Sequence, residues 1–87
     1  MTEETLFEFP CHFPIKAMGK TNAELPVVVT EIVRRHVSEF DEASLKTRFS
    51  KDGNYVSVTV IIEADSKQQL DAIYQDLTDH PHILWAL

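Results

Sequence analysis

The chain has 87 residues, 44% of them hydrophobic and 25% charged, and its 14 acidic against 8 basic side chains give a formal net charge of −6. That is the size and balance of one globular domain, not of a disordered tail. The acidity argues against nucleic acid, whose backbone is held by clustered Lys and Arg, and against anionic membranes; the uncharged run Tyr55 to Ile62 is far too short to span a bilayer.

Met1 to Cys11 carries Glu3, Glu4 and Glu8 without periodicity. It reads as a flexible acidic arm tacked down by Phe7 and Phe9, with residues 12–87 as the single domain. It lacks the basic and apolar regions of a secretion signal, and Cys11 is the one cysteine, so a cytoplasmic location is expected. Phe13, Ile15 and Ala17 then alternate with Pro14, Lys16 and Met18, a first strand ended by Gly19. Pro14 has no N–H for a ladder and needs the strand's start or an exposed edge register. Thr21-Asn22-Ala23-Glu24 has capping-box spacing. Leu25, Val28, Val29, Ile32, Val33 and His36 follow at helical spacing, with Pro26 in the first turn.

Next comes a hairpin. An Asp52-Gly53 two-residue turn pairs Lys51 with Asn54, Phe49 with Val56, Thr47 with Val58 and Leu45 with Val60, placing the large apolar groups on one face. One residue more would set Phe49 opposite Ser57 and split the apolar set. Asp65 and Ser66, with Gln68 and Gln69 three residues on, are overlapping cap candidates for a second helix striped by Leu70, Ile73, Tyr74 and Leu77. His80-Pro81-His82 breaks it, and Ile83 to Leu87 reads as a last strand. The order βαββαβ predicts an α+β, ferredoxin-like sandwich: a four-stranded antiparallel sheet of order 4-1-3-2 with both helices on one face.

Such a sheet leaves one face uncovered, and parity predicts what it carries. Lys16 and Met18 fall there from strand one, Lys46 and Arg48 from strand two, and Tyr55, Ser57, Thr59 and Ile61 from strand three. This is a candidate platform for a small anionic molecule or an acidic partner, or else a solvated face or dimer interface. Gly19-Lys20-Thr21-Asn22 is the second candidate: a glycine that allows close approach or positive φ, then a helix start that attracts anions.

Catalytic readings fare worse. Cys11-His12 lacks a second cysteine nearby, and His80 and His82 lack a persuasive third ligand, so neither metal nor cofactor is expected. An acylphosphatase-like hydrolase using the Gly19 loop is the enzymatic alternative, but Lys20 stands where that chemistry uses arginine. An RNA-binding sheet would stack bases on several aromatics, and only Tyr55 and Trp85 are on offer.

Phe9-Pro10-x-x-Phe13-x-x-Lys16-x-Met18-Gly19 and then Gly53-Asn54-Tyr55-x-Ser57-x-Thr59 resemble the signatures of the YbeD-like family of small bacterial proteins of unknown function. The resemblance implies an ACT-like fold, similar to regulatory domains of metabolic enzymes. Members are often encoded near lipoate-synthesis enzymes, which implies an accessory role there. ACT-like domains pair side by side and bind effectors near the first strand-to-helix loop, which implies a homodimer with Gly19, Lys20 and Asn22 at the site. Together these readings give a non-enzymatic regulatory or interaction module, binding a small anionic metabolite or a partner enzyme. Its candidate residues are Lys16, Met18, Gly19, Lys20, Asn22, Arg48, Tyr55, Ser57 and Thr59.

Overall fold

In the computed structural model, which describes residues 9–38 and 40–87, the longest pairing joins two ten-residue strands. β1 (Cys11–Lys20) runs antiparallel to β3 (Tyr55–Ala64) from Cys11 opposite Ala64 to Lys20 opposite Tyr55. β2 (Lys46–Phe49) lies along the outer side of β3, and β4 (Trp85–Ala86) along that of β1. The sheet order β2-β3-β1-β4 is the expected 4-1-3-2 read from the other edge.

One set of alternate residues makes the core. Ile15 and Ala17 of β1 and Val56, Val58, Val60, Ile62 and Ala64 of β3 are buried in one cluster with Leu25, Val29, Ile32 and Val33 of α1 (Leu25–His36) and Leu70, Ile73 and Leu77 of α2 (Lys67–Asp79). Both helices therefore cover the same face. The stripes recur at three and four residues because those positions stack on one side of a helix. Tyr74, half-buried, meets Phe13 edge-on with centroids 6.5 Å apart, and burial raises its phenol pKa above the usual value.

Helix ends follow sequence in one case and tertiary contacts in the other. Ser66 caps α2 as expected, its hydroxyl accepting from the Gln69 N–H at 3.1 Å, while the Gln69 side chain accepts from the Asp65 N–H. The capping box expected at Thr21–Glu24 does not form. Thr21–Ala23 is a short 3-10 turn, and Glu24 enters α1 at φ 50° with no side-chain cap. Thr21 is drawn away by the hairpin: its hydroxyl donates to the Gly53 carbonyl at 2.6 Å and its N–H to that of Asn54 at 3.0 Å.

Strand limits also move. β1 starts two residues before Phe13 and continues through Gly19 to Lys20, because the long β3 supplies partners at both ends. Cys11 thus belongs to the sheet, Phe9 packs on the core, and the rest of the expected arm, residues 1–8 with Phe7, lies outside the described residues. Pro14 is exposed on β1, on the side that faces β4, where β4 is too short to reach it. Its missing N–H therefore costs no ladder bond. The hairpin keeps the expected register, Phe49 opposite Val56, but the turn is longer. Ser50 N–H bonds the Tyr55 carbonyl, the Gly53 N–H returns to the Ser50 carbonyl at 2.9 Å, and Gly53 sits at φ 78°. β4 is shorter than Ile83–Leu87, although Leu87 still exchanges two backbone bonds with Lys16.

One expected core group is not in the core. Phe49 lies on the helix side by register yet is 60% exposed, because α1 leans on β3 and β1 and α2 on β4 and β3, leaving β2 beyond their cover.

Candidate functional site

The face opposite the helices is laid out in rows that the register defines. Lys46, Thr59 and Lys16 stand side by side across β2, β3 and β1, with Leu87, just past β4, beside Lys16. Arg48, Ser57, Met18 and Trp85 form the next row. Tyr55 and Lys20 begin a third, and Ile61 lies beside Pro14 on the other side. With neighbouring strands about 4.8 Å apart, Lys46 and Lys16 attach to the sheet roughly 10 Å from each other.

Four of the eight basic residues thus occupy one face. None of the four forms an ion pair among the described residues, whereas Arg34 pairs with Glu42, Lys67 with Asp71, and Arg35 lies 3.9 Å from Asp76. Glu63 is the acidic residue on these rows, opposite His12 at the far end. Apolar groups lie among the cations: Tyr55, Ile61, Trp85 and Leu87 are exposed, and Met18 is half-buried. Ser57 is buried at 6% exposure, because its short side chain sits between those of Arg48 and Met18.

Of the nine sequence-predicted site residues, seven share this face: Lys16, Met18, Lys20, Arg48, Tyr55, Ser57 and Thr59. Asn22 is exposed on the 3-10 turn beyond β1, at the rim of the face. Lys20 and Asn22 together border two cavities of about 390 Å³ each. One faces the hairpin (Gly53, Asn54, Tyr55) and the other the segment before β4 (Pro81, His82, Leu84).

Gly19 does not join them. It is buried on the helix side of β1, and a Cβ there would overlap the His82 carbonyl oxygen and come within 2.8 Å of Leu25 Cδ1. It does not take positive φ, and it does not open the loop to a ligand. Its bare backbone accommodates the segment before β4. The expected anion-attracting helix start is displaced too, since α1 begins only after the 3-10 turn and Glu24.

The hairpin tip beside Tyr55 is tightly ordered. Ser50 donates to Asp52 at 2.7 Å, Asn54 N–H donates to the same oxygen at 3.0 Å, and Tyr55 N–H donates to the Ser50 hydroxyl at 3.0 Å. The Ser50 bond first, then that of Asn54, holds the Asp52 carboxyl below the usual aspartate value.

The other chemical candidates are accounted for by packing. Cys11 and His12 are successive strand residues on opposite faces, so they cannot act together. The rings of His80 and His82 lie 5.2 Å apart in a turn closed by Ile83 N–H to the His80 carbonyl. No metal-holding cluster of His, Cys, Asp or Glu occurs among the described residues. His36 ends α1 and meets Asp76 of α2 at 2.6 Å, while Gln69 donates to the His36 carbonyl, so this histidine joins the two helices. Leu87 is the residue of this face that sequence reasoning missed, and Trp85 entered it only as a stacking aromatic and not among the candidate site residues. The signal for them was available: once Met18 faces outward, an antiparallel last strand must place every second residue beside it.

A flat sheet face of this kind does not name a protein, but comparison with known sequences does place it. The chain matches, over residues 4–87, the family model described as "Protein of unknown function (DUF493)". The chain belongs to this family. It is the YbeD-like family of small bacterial proteins that the two motifs resemble. A UPF0250 protein of Nitrosomonas europaea is 46% identical over 87 residues, 100% of both chains. Another, from Paraburkholderia phytofirmans, is 48% identical over 80 residues, 92% of this chain and 90% of its own. The solution structure of protein HP0495 from H. pylori aligns with a TM-score of 0.70 and 15% identity, over 93% of this chain and 85% of that one. That likeness shows the shared fold. No helix among the described residues is long and apolar enough to cross a membrane.

Proposed function

We propose that the chain is a non-enzymatic interaction module of bacterial metabolism that binds a partner enzyme through the open face of its sheet. The observation that carries this reading is the gathering of Lys16, Lys20, Lys46 and Arg48, none in an ion pair among the described residues, around Met18, Tyr55 and Trp85 on a chain of net charge −6. A purely solvated surface intersperses both signs and scatters its apolar groups singly, whereas clustered cations with contiguous apolar side chains suit complementary binding. The acylphosphatase-like alternative loses support, because the space at Gly19 is taken by the His82 carbonyl and Leu25 and the loop offers lysine alone.

A second reading, a small anionic metabolite linked to lipoate metabolism, draws support from the two cavities that share Lys20 and Asn22. Thermal melting against amino acids, lipoate, octanoate and acyl phosphates, run beside turnover assays, separates these readings. A ligand at 100 times its Kd adds about 2.7 kcal/mol. The module reading expects no turnover, and a shift with lipoate or octanoate puts the metabolite ahead of the partner enzyme. Acyl phosphate hydrolysis that disappears in Lys20→Ala overturns both. Side-by-side pairing of two copies belongs to the same proposal and is read from the mass in solution by light scattering.

A further inference from the structure

We propose that the occupant of the open face is an acidic amphipathic helix of another protein, laid along the strands with its carboxylates toward β2 and its apolar stripe toward β4. This rests on the reading of the face as an interaction surface and adds the chemistry of the partner. The two edges of the face differ. β2 presents Lys46 and Arg48 at one, Trp85 of β4 and Leu87 just past it lie at the other, and between them β1 carries Lys16, Met18 and Lys20 and β3 carries Tyr55, Ser57, Thr59 and Ile61. A ligand that spans both edges therefore meets cations at β2 and apolar groups at the β4 edge, with the other two cations on β1 between them.

Spacing favours a helix. Lys46 and Arg48 are two residues apart on a strand, about 6.8 Å. Carboxylates four residues apart on a helix rise about 6 Å and stand on one side of it, so two of them meet both cations. Ser57, short and buried, lies between the Lys46–Arg48 edge and the Trp85 edge, where a helix would rest. A helix there also completes the layering of a sheet covered on one side only.

Charge argues against other occupants. A second copy docked face to face would bring the same four cations to both sides of the interface, with Glu63 as the one acidic side chain on the rows of each. Nucleic acid and anionic membranes meet only four cations on a molecule that is otherwise strongly acidic. A small anion would engage the cations and leave Trp85 and Leu87 uncovered.

Trp85 is the chain's one tryptophan and stands on the face at 39% exposure, so its emission reports what arrives there. The probes are a helical peptide with leucines at three- and four-residue spacing flanked by glutamates, its lysine-for-glutamate counterpart, octanoate, and phosphatidylglycerol vesicles. Trp85 emission should titrate with the glutamate peptide roughly tenfold more tightly than with the lysine peptide, and the binding should weaken with salt. Lys46→Glu with Arg48→Glu should weaken it about tenfold, and the milder Lys46→Gln with Arg48→Gln should weaken it less, with melting temperatures unchanged. Equal binding of the two peptides overturns the proposal. So does protection of Lys16 and Lys46 from labelling in the purified protein that is lost on dilution with a halving of mass, which gives the face to a second copy. A response to vesicles alone, or to octanoate alone, also overturns it while leaving the face a binding surface. No response to any probe, with native proteins of the source cell also failing to protect the face lysines from labelling, removes the interaction reading as well.

Discussion

The two faces of this sheet are made by the same strands, and adjacent residues of β3 show how differently they are used. Val58, Val60 and Ile62 are buried under the helices, and their neighbours Tyr55 and Ile61 are exposed on the other side. The buried cluster on the covered face is aliphatic, with the strand residues packed against those of α1 and α2. The open face mixes hydroxyls, aromatics and four cations that form no ion pair among the described residues. What the difference teaches is that fold stability is invested on one side, which leaves the composition of the other free to serve binding.

The sharpest way to break that division is to truncate neighbouring isoleucines. Ile62→Ala should cost about 2–5 kcal/mol in urea unfolding, because it leaves a cavity in the core. Ile61→Ala, one residue away, should cost about 1 kcal/mol or less. Equal losses would mean that the open face is as stabilising as the covered one. The glycines offer a second contrast. Gly19→Ala should destabilise by about 1–3 kcal/mol through overlap with the His82 backbone and Leu25. Gly53→Ala meets nothing but must hold positive φ, at about 1–2 kcal/mol. Melts of the two variants, with Gly19→Ala alone disturbing the segment before β4 in NMR spectra, would check this.

Much of this division is legible in the sequence. The strict alternation in β3 sets both faces and the register with β2, since a slip of one residue would expose every valine. Helix stripes and the Ser66 cap are equally local signals. What escapes is tertiary in origin. Thr21 and Glu24 have the chemistry of a capping box, yet Thr21 bonds the hairpin tip, more than thirty residues away in sequence. Phe49 has the right parity for the core but lies on a strand the helices do not reach. Gly19 reads as a terminator or a ligand contact because nothing local announces that the His82 carbonyl will lie against it. The partner of His36 is hidden for the same reason, being Asp76 on the other helix.

Smaller effects sharpen the comparison further. A double-mutant cycle of His36→Ala and Asp76→Ala should give a coupling of roughly 0.5–1 kcal/mol, as expected for a partly exposed pair joining two helices. Lys16→Glu with Arg48→Glu should change stability by no more than about 0.5 kcal/mol, since neither residue forms an ion pair among the described residues. The smallest effect concerns pH. Asp52 has a folded pKa below its unfolded one, so its contribution is present above the unfolded aspartate value and disappears as pH falls through the lower, folded value. Amide exchange at Asn54 and Tyr55 should therefore accelerate in that acid range in the wild type and lose this step in Asp52→Asn.

Lysine acylation footprinting, in native extract against purified protein, tests the division of labour most directly. Lys16 and Lys46 should be protected in the extract, while Lys51 at the hairpin tip and Lys67 at the start of α2 react equally in both. Equal labelling of all four lysines in the two samples would contradict an occupied open face.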